Sequence, residues 1–171
     1  SISSVNTTIK SNTIWDPTRY LNIWVVALAD DILGFATFPT QSGLDGLSGG
    51  ETLTNAGVVV DGQTVGSLVN QGVSCSISGY NAGKTLVHEL GHFFGLRHIW
   101  GDAKCGNDFV DDTPVHEEAN FGVPISPKAN TCGTLDEMFQ NYMDYSEDVV
   151  LNTFTAKQID RVQAVMLNSP R

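Results

Sequence analysis

His88-Glu89-Leu90-Gly91-His92-Phe93-Phe94-Gly95-Leu96-Arg97-His98 reads H-E-x-x-H-x-x-G-x-x-H, and the fold follows from how this stretch has to run. His88 and His92 are four residues apart, so on a helix they lie one above the other, where both imidazoles can close on one metal ion. Glu89 follows the first histidine and turns away from the ion, yet its carboxylate can still reach a water held there. It is the candidate general base. Gly95 comes three residues after His92, where the helix must stop and the chain reverse through a conformation that glycine adopts at low cost. The reversal delivers His98 as third ligand. Paired histidines on a helix are often just partly buried side chains, but the glycine and third histidine at fixed offsets argue against coincidence. Three neutral imidazoles with one position left for water describe a catalytic zinc site, since structural zinc is usually closed by four protein ligands. The motif is that of a metallopeptidase.

At 171 residues and 41% hydrophobic content, the chain suits one domain with a core of its own. A net charge of -10 and a pI near 4.5 argue against nucleic acid or an anionic membrane as partner, and favour bound cations. No apolar run approaches the roughly 20 residues that span a bilayer. Ser1-Ile2-Ser3-Ser4 has neither the basic nor the apolar region of a signal peptide, so a mature or trimmed domain is expected.

Cys75, Cys105 and Cys132 permit one disulfide and leave one thiol over. Cys105 and Cys132 flank a loop-rich stretch with proline and glycine that would gain most from a staple, about 3 to 4 kcal/mol in the chain-entropy model. The alternative is three reduced, buried cysteines in a cytosolic protein.

Ile2, Val5 and Ile9 are spaced for a short amphipathic helix over residues 3 to 11. After the breaker Asp16-Pro17, Tyr20 to Ala29 is apolar enough to be a central strand covered on both faces. Phe35 to Phe38 reads as a second strand stopped by Pro39, and 40 to 56 as a loop. Gly57 to Asp61 is expected to border a substrate cleft, its free edge pairing with an extended peptide. Residues 62 to 80 carry no strong periodic signal. Asn81 to Phe94 should be the helix of the two histidines, buried through Leu86, Val87, Leu90 and Phe94. Between Asp102 and Glu118 lie six acidic residues, Asp102, Asp108, Asp111, Asp112, Glu117 and Glu118, against one lysine, Lys104. Such crowding repels itself unless cations neutralise it; otherwise it is a solvated acidic loop. Thr155-Ala156-Lys157-Gln158 is a capping box opening a helix whose Ile159, Val162 and Met166 should face the core.

Together with Asn141-Tyr142-Met143-Asp144-Tyr145, the histidine stretch resembles a metzincin metallopeptidase. More narrowly the chain is similar to the pappalysin family and its prokaryotic members. That resemblance rests also on Tyr20 to Val25, Leu96 to Asp102, Val110 to Pro114 and Asn152 to Thr155, and covers most of the chain from Trp15 to Leu167.

The resemblance implies an α+β fold. Its upper lobe, 1 to 95, would hold a twisted sheet and the active-site helix, its lower lobe, 96 to 171, would be irregular with a C-terminal helix, and a cleft would run between them. Met143 would lie in the turn beneath the zinc, and Tyr145 would stabilise the tetrahedral intermediate. Relatives commonly carry a second cysteine pair, replaced here by Val123 and Val150, which leaves Cys105 and Cys132 as the retained bridge and Cys75 as an unpaired, buried thiol. The resemblance also implies structural calcium, for which Asp108, the carbonyl of Val110 and Thr113 offer hard oxygen ligands. Asp148, five residues beyond Met143, would line the pocket for the side chain after the scissile bond and select arginine or lysine.

The expected function is therefore a secreted zinc endopeptidase, made as a zymogen and acting on proteins or peptides. The alternatives are a catalytically silent binding module of the same fold, or a zinc amidase or aminopeptidase.

Overall fold

A computed structural model describes every residue except 30, 31, 41, 48, 67–76, 134, 170 and 171. Cys75 lies outside the described residues, and so does its expected state.

The chain opens with one helix that runs from Ile2–Ser4 through a π-helical stretch, Val5–Lys10, to Ser11–Thr13. It is longer than the periodicity suggests. Val5 is buried and Ile9 half-buried, while Ile2 stays exposed. The inner face is completed by Lys10, which is fully buried and donates to the carbonyl of Asn55 at 3.0 Å. Its ammonium lies 5.1 Å from the ring of Trp24 and 5.0 Å from that of Phe35, so the long stem packs while the charge meets aromatic faces.

Three strands follow: β1 at Ile23–Val26, β2 at Gly34–Ala36 and β3 at Val58–Asp61. Their order is β1-β3-β2, with β1 parallel and β2 antiparallel to β3. Two expectations are corrected here. The run from Tyr20 to Ala29 is not a central strand: it shrinks to four residues at the edge of the described sheet. Along it Leu21, Ile23 and Val25 are exposed and only the alternate positions are half-buried. The segment expected as a free edge, Gly57 to Asp61, is instead the middle strand, with Val58, Val59, Val60 and Asp61 all buried and both edges paired. Three consecutive valines pack equally on both faces of a sheet, as a middle strand requires, whereas a long mixed run need bury only alternate residues. The edge beside the helix belongs to β2.

The central helix, Lys84–Phe93, starts three residues after Asn81. Leu86, Leu90, Phe93 and Phe94 pack it against Val58, Val60 and Ala36 of the sheet. A second apolar cluster forms where the helix ends, from Leu96, Ile99 and Met143, with Trp100, Met138, Phe154 and Val162 around it. Most of the chain from Gly95 to Thr155 is irregular. It is stapled by the disulfide Cys105–Cys132, whose Cα atoms are 5.6 Å apart.

The C-terminal helix, Ala156–Asn168, opens with the expected capping box: Thr155 accepts from the Gln158 amide, and Gln158 accepts from the Thr155 amide. Its inward face differs from the apolar spacing. Ile159 and Met166 are exposed, and the buried residues are Gln158, Arg161 and Val165, with Val162 beside them. Gln158 exchanges two hydrogen bonds with Asn141, at 2.8 and 3.1 Å. Arg161 donates to the carbonyls of Gly95 and Asp45. These buried polar groups need partners, and that need outweighs the apolar stripe in setting the helix face.

Candidate active site

Each of the three histidines is oriented by a hydrogen bond at Nδ1, and each partner comes from a different part of the chain. His88 Nδ1 lies 2.7 Å from the carbonyl oxygen of Tyr142. His92 Nδ1 lies 2.8 Å from that of Leu96, which the reversal at Gly95, with φ of +86°, brings back beneath the helix. His98 Nδ1 lies 2.5 Å from Asp102 Oδ1. Asp102 has φ of +61°, a left-handed conformation that aspartate tolerates, and its other oxygen receives Arg97 at 2.8 Å. Its bonds to His98 and Arg97 hold the Asp102 carboxyl far below the usual carboxylate range.

A carbonyl or carboxylate oxygen can only accept, so in all three rings Nδ1 carries a proton, the arrangement that turns Nε2 of a neutral imidazole to a metal. One ligand nitrogen from each ring can be chosen so that all lie within 4.8 Å of one another. His92 Nε2 and His98 Nε2 are 3.1 Å apart. Two lone pairs at that separation repel unless a cation lies between them, so the residues fit a metal, and three imidazole nitrogens suit zinc. Burial, followed by the nearby His98, lowers the His88 pKa to about 3, and burial likewise pushes His92 down. Both rings are therefore neutral, the form that ligates.

Met143 is fully buried, and a Cβ placed on Gly91 of the histidine helix would stand 2.3 Å from its sulfur. His98 stacks on Trp100 at 4.3 Å. Tyr145 stands 4.9 Å from His98 and 5.6 Å from His88 between ring centroids. Burial first, then the carboxylates of Glu89, Asp102 and Asp144, push its phenol up to about 12, so it stays a donor.

Glu89 is buried, and its Oε2 has no hydrogen-bond partner among the described residues. Burial raises its pKa to about 8. His88, Glu89, Tyr145 and Asp148 line one cavity of about 340 Å³. Asp148 is only 2% exposed. Its Oδ2 accepts from the amides of Ala82 and Lys84, while its Oδ1 has no partner among the described residues.

The acidic stretch does not act as one cluster. Asp102 serves His98 and Arg97, Glu117 pairs with Lys104 at 2.8 Å, and Asp111 pairs with Lys157 at 2.7 Å. Asp112 accepts from the Lys157 amide in the first turn of the C-terminal helix. The chain thus supplies cations that a count within the stretch leaves out. Asp108, Val110 and Thr113 do come together: the Thr113 hydroxyl is 2.9 Å from Asp108 Oδ2 and 2.7 Å from the Val110 carbonyl.

Residues that the motif did not single out also build the site. Asp102 stands four after His98, a spacing that could have marked it. Gly34 and Phe121 line the cavity from distant parts of the sequence with no local signal, whereas Lys84 lies one turn before His88 and Ser146 follows Tyr145.

A helix with two histidines, a glycine-led return to a third and a buried methionine packed against Gly91 of that helix make this a metzincin-type metallopeptidase fold. The sequence model of the M43 peptidases, described as pregnancy-associated plasma protein-A, matches residues 4–167. The chain belongs to this family, the pappalysins. An extracellular metalloprotease of Arthroderma benhamiae is 37% identical over 150 residues, which cover 84% of this chain and 46% of that protein. One from Pyricularia oryzae is 33% identical over 164 residues, 95% of this chain and 52% of that one. Mature mirolysin of Tannerella forsythia, solved with a cleaved peptide, superposes with a TM-score of 0.79 at 37% identity, covering 95% of this chain and 59% of that one. This chain spans about half the length of the extracellular metalloproteases it matches. Among the described residues no helix is long and apolar enough to cross a membrane.

Proposed function

We propose that the protein is a zinc-dependent endopeptidase that cuts proteins and peptides on the N-terminal side of arginine or lysine. The observation that carries this is the shared cavity: His88, Glu89, Tyr145 and Asp148 line the same 340 Å³ space. His88, His92 and His98 would hold the zinc. When bound, the metal supplies Lewis-acid polarisation of a water and of the scissile carbonyl. Glu89 takes a proton from the attacking water and passes it to the leaving amine. The Tyr145 hydroxyl donates to the oxyanion. The carboxylate of Asp148 receives the basic side chain after the scissile bond, and an apolar side chain would leave that buried charge unpaired. With β3 in the middle of the sheet, the strand suited to pair with an extended substrate is β2, whose Gly34 lines the cavity. The two lobes, 1 to 95 and 96 to 171, would form the walls of that cleft.

Secretion is supported by the relatives, which are named extracellular metalloproteases. Synthesis as a zymogen is supported by the likeness to promirolysin, with a TM-score of 0.75 at 37% identity. Calcium at Asp108, Val110 and Thr113 belongs to the same proposal, supported by the closeness of their oxygens. Unchanged thermal stability and autolysis on calcium removal, with zinc retained, would refute it.

The experiment for the main proposal is digestion of a proteome-derived peptide library with and without a zinc chelator, alongside an internally quenched peptide blocked at both ends. Cuts before arginine and lysine that vanish with chelator are expected. An aliphatic preference after the cut would overturn the specificity, and an intact blocked peptide the endopeptidase activity.

A further inference from the structure

The first turn of the central helix lacks a cap of its own. Its N-cap residue is Gly83, which has no side chain to offer the free amides. The first of those amides, and the one just before the N-cap, are met by a residue more than sixty positions away. Asp148 Oδ2 accepts from the Ala82 amide at 2.7 Å and from the Lys84 amide at 3.3 Å, and Lys84 is the first helical residue, one turn before His88. Two more bonds tie the same segments: the Asp148 amide donates to the Gly79 carbonyl at 2.8 Å, and the Tyr80 hydroxyl to the Tyr145 carbonyl at 3.0 Å. The approach is close enough that a Cβ on Gly79 would stand 2.7 Å from the Glu147 carboxyl carbon. The chain leaving the methionine turn thus holds the start of the helix that carries His88 and Glu89.

We propose that Asp148 is a positioning residue for the central helix, so that a basic side chain bound at this carboxylate raises turnover as well as affinity. The positioning stands on the hydrogen bonds alone; the effect of the basic side chain rests on the reading of this cavity as the pocket for the residue after the cut. A carboxylate is a stronger acceptor ionised than protonated, so its hold on the two amides depends on its charge. Burial raises the Asp148 pKa, as does Glu147, while the amides of Ala82 and Lys84 and the Lys84 ammonium oppose this. A guanidinium at Oδ1, which has no partner among the described residues, favours the ionised form and so tightens the bonds at Oδ2. One oxygen already engaged by two amides also means that a guanidinium meets mainly the other, and not the whole carboxylate as a fork.

The test uses the zinc-saturated chain and two blocked, internally quenched peptides that differ only in arginine or norleucine after the scissile bond. Asp148→Ala is expected to lower kcat on the norleucine peptide by roughly 10- to 100-fold with KM little changed. Asp148→Asn should fall between, because its neutral amide oxygen can accept from both amides but more weakly than a carboxylate oxygen. In the wild type, a non-cleavable arginine peptide should slow amide exchange at residues 82 to 86 more than its norleucine counterpart at equal saturation. Wild-type kcat on the norleucine peptide in Asp148→Ala would overturn the positioning role, and equal protection by the two peptides would overturn the effect of the basic side chain. A wild type that treats both peptides alike, beside an alanine variant slowed on both, would remove the pocket reading and leave the positioning role intact.

Discussion

Gly34 of β2 lies directly against Glu89: a Cβ at this position would stand 2.8 Å from Glu89 Cγ, 3.0 Å from its Oε1 and 2.9 Å from the Val59 carbonyl oxygen. The strand therefore holds the glutamate in place, and only a hydrogen fits between them. Gly34→Ala is expected to displace the Glu89 carboxylate and lower kcat by about 100-fold while zinc content is unchanged. Steady-state kinetics beside metal analysis checks this; wild-type turnover would show that the strand has no part in placing Glu89.

Asp102 fixes the tautomer of His98, so it should matter for the metal before it matters for chemistry. Asp102→Asn is expected to weaken zinc binding by roughly 10- to 100-fold, with activity largely recovered at saturating zinc. Competition against a chelator of known affinity measures it. Unaltered affinity would mean that Nδ1 needs no carboxylate partner.

Gly91 leaves room for the sulfur of Met143, which is fully buried. Gly91→Ala should destabilise the fold by about 1 to 3 kcal/mol through overpacking. Combining it with Met143→Ala should cost less than the sum of the two single changes, since each relieves the other's strain. Urea unfolding of the three variants decides, and strict additivity would count against the contact.

Lys10 carries a pH dependence. Burial lowers its pKa in the folded state to about 8, below the ordinary 10.5. Between these values the unfolded chain holds more protons, so the penalty for burying the charge is full below pH 8 and fades as pH rises toward 10.5. The stability of Lys10→Met relative to the wild type should therefore decrease as pH is raised from 7 to 10. Urea midpoints across that range test it; a difference constant with pH would contradict the linkage.

The elements read correctly from the sequence are those defined by local spacing. The histidine helix, the reversal at Gly95 and the capping box at Thr155 each need only residues within a few positions, and the protein has all three. The errors lie where partners are distant. Tyr20 to Ala29 is the more apolar run, but Val58 to Asp61 is the strand with neighbours on both sides. Apolar spacing put Ile159 and Met166 inward, whereas Asn141 and the Gly95 carbonyl draw in Gln158 and Arg161.

The family resemblance supplied the choice of Cys105 and Cys132 as the bridge, and the sequence by itself determined the three metal-ligand candidates, the candidate base and the family. Short spacings and a distinctive motif suffice for these, because helix periodicity converts them directly into geometry. Only the tertiary structure decided that β2 holds Glu89 through Gly34 and that Asp148 accepts from the amides of Ala82 and Lys84. Asp148 meets Ala82 across 66 residues and Lys84 across 64. Such contacts exist only once the whole chain has packed, and no periodicity encodes which carboxylate will reach which amide.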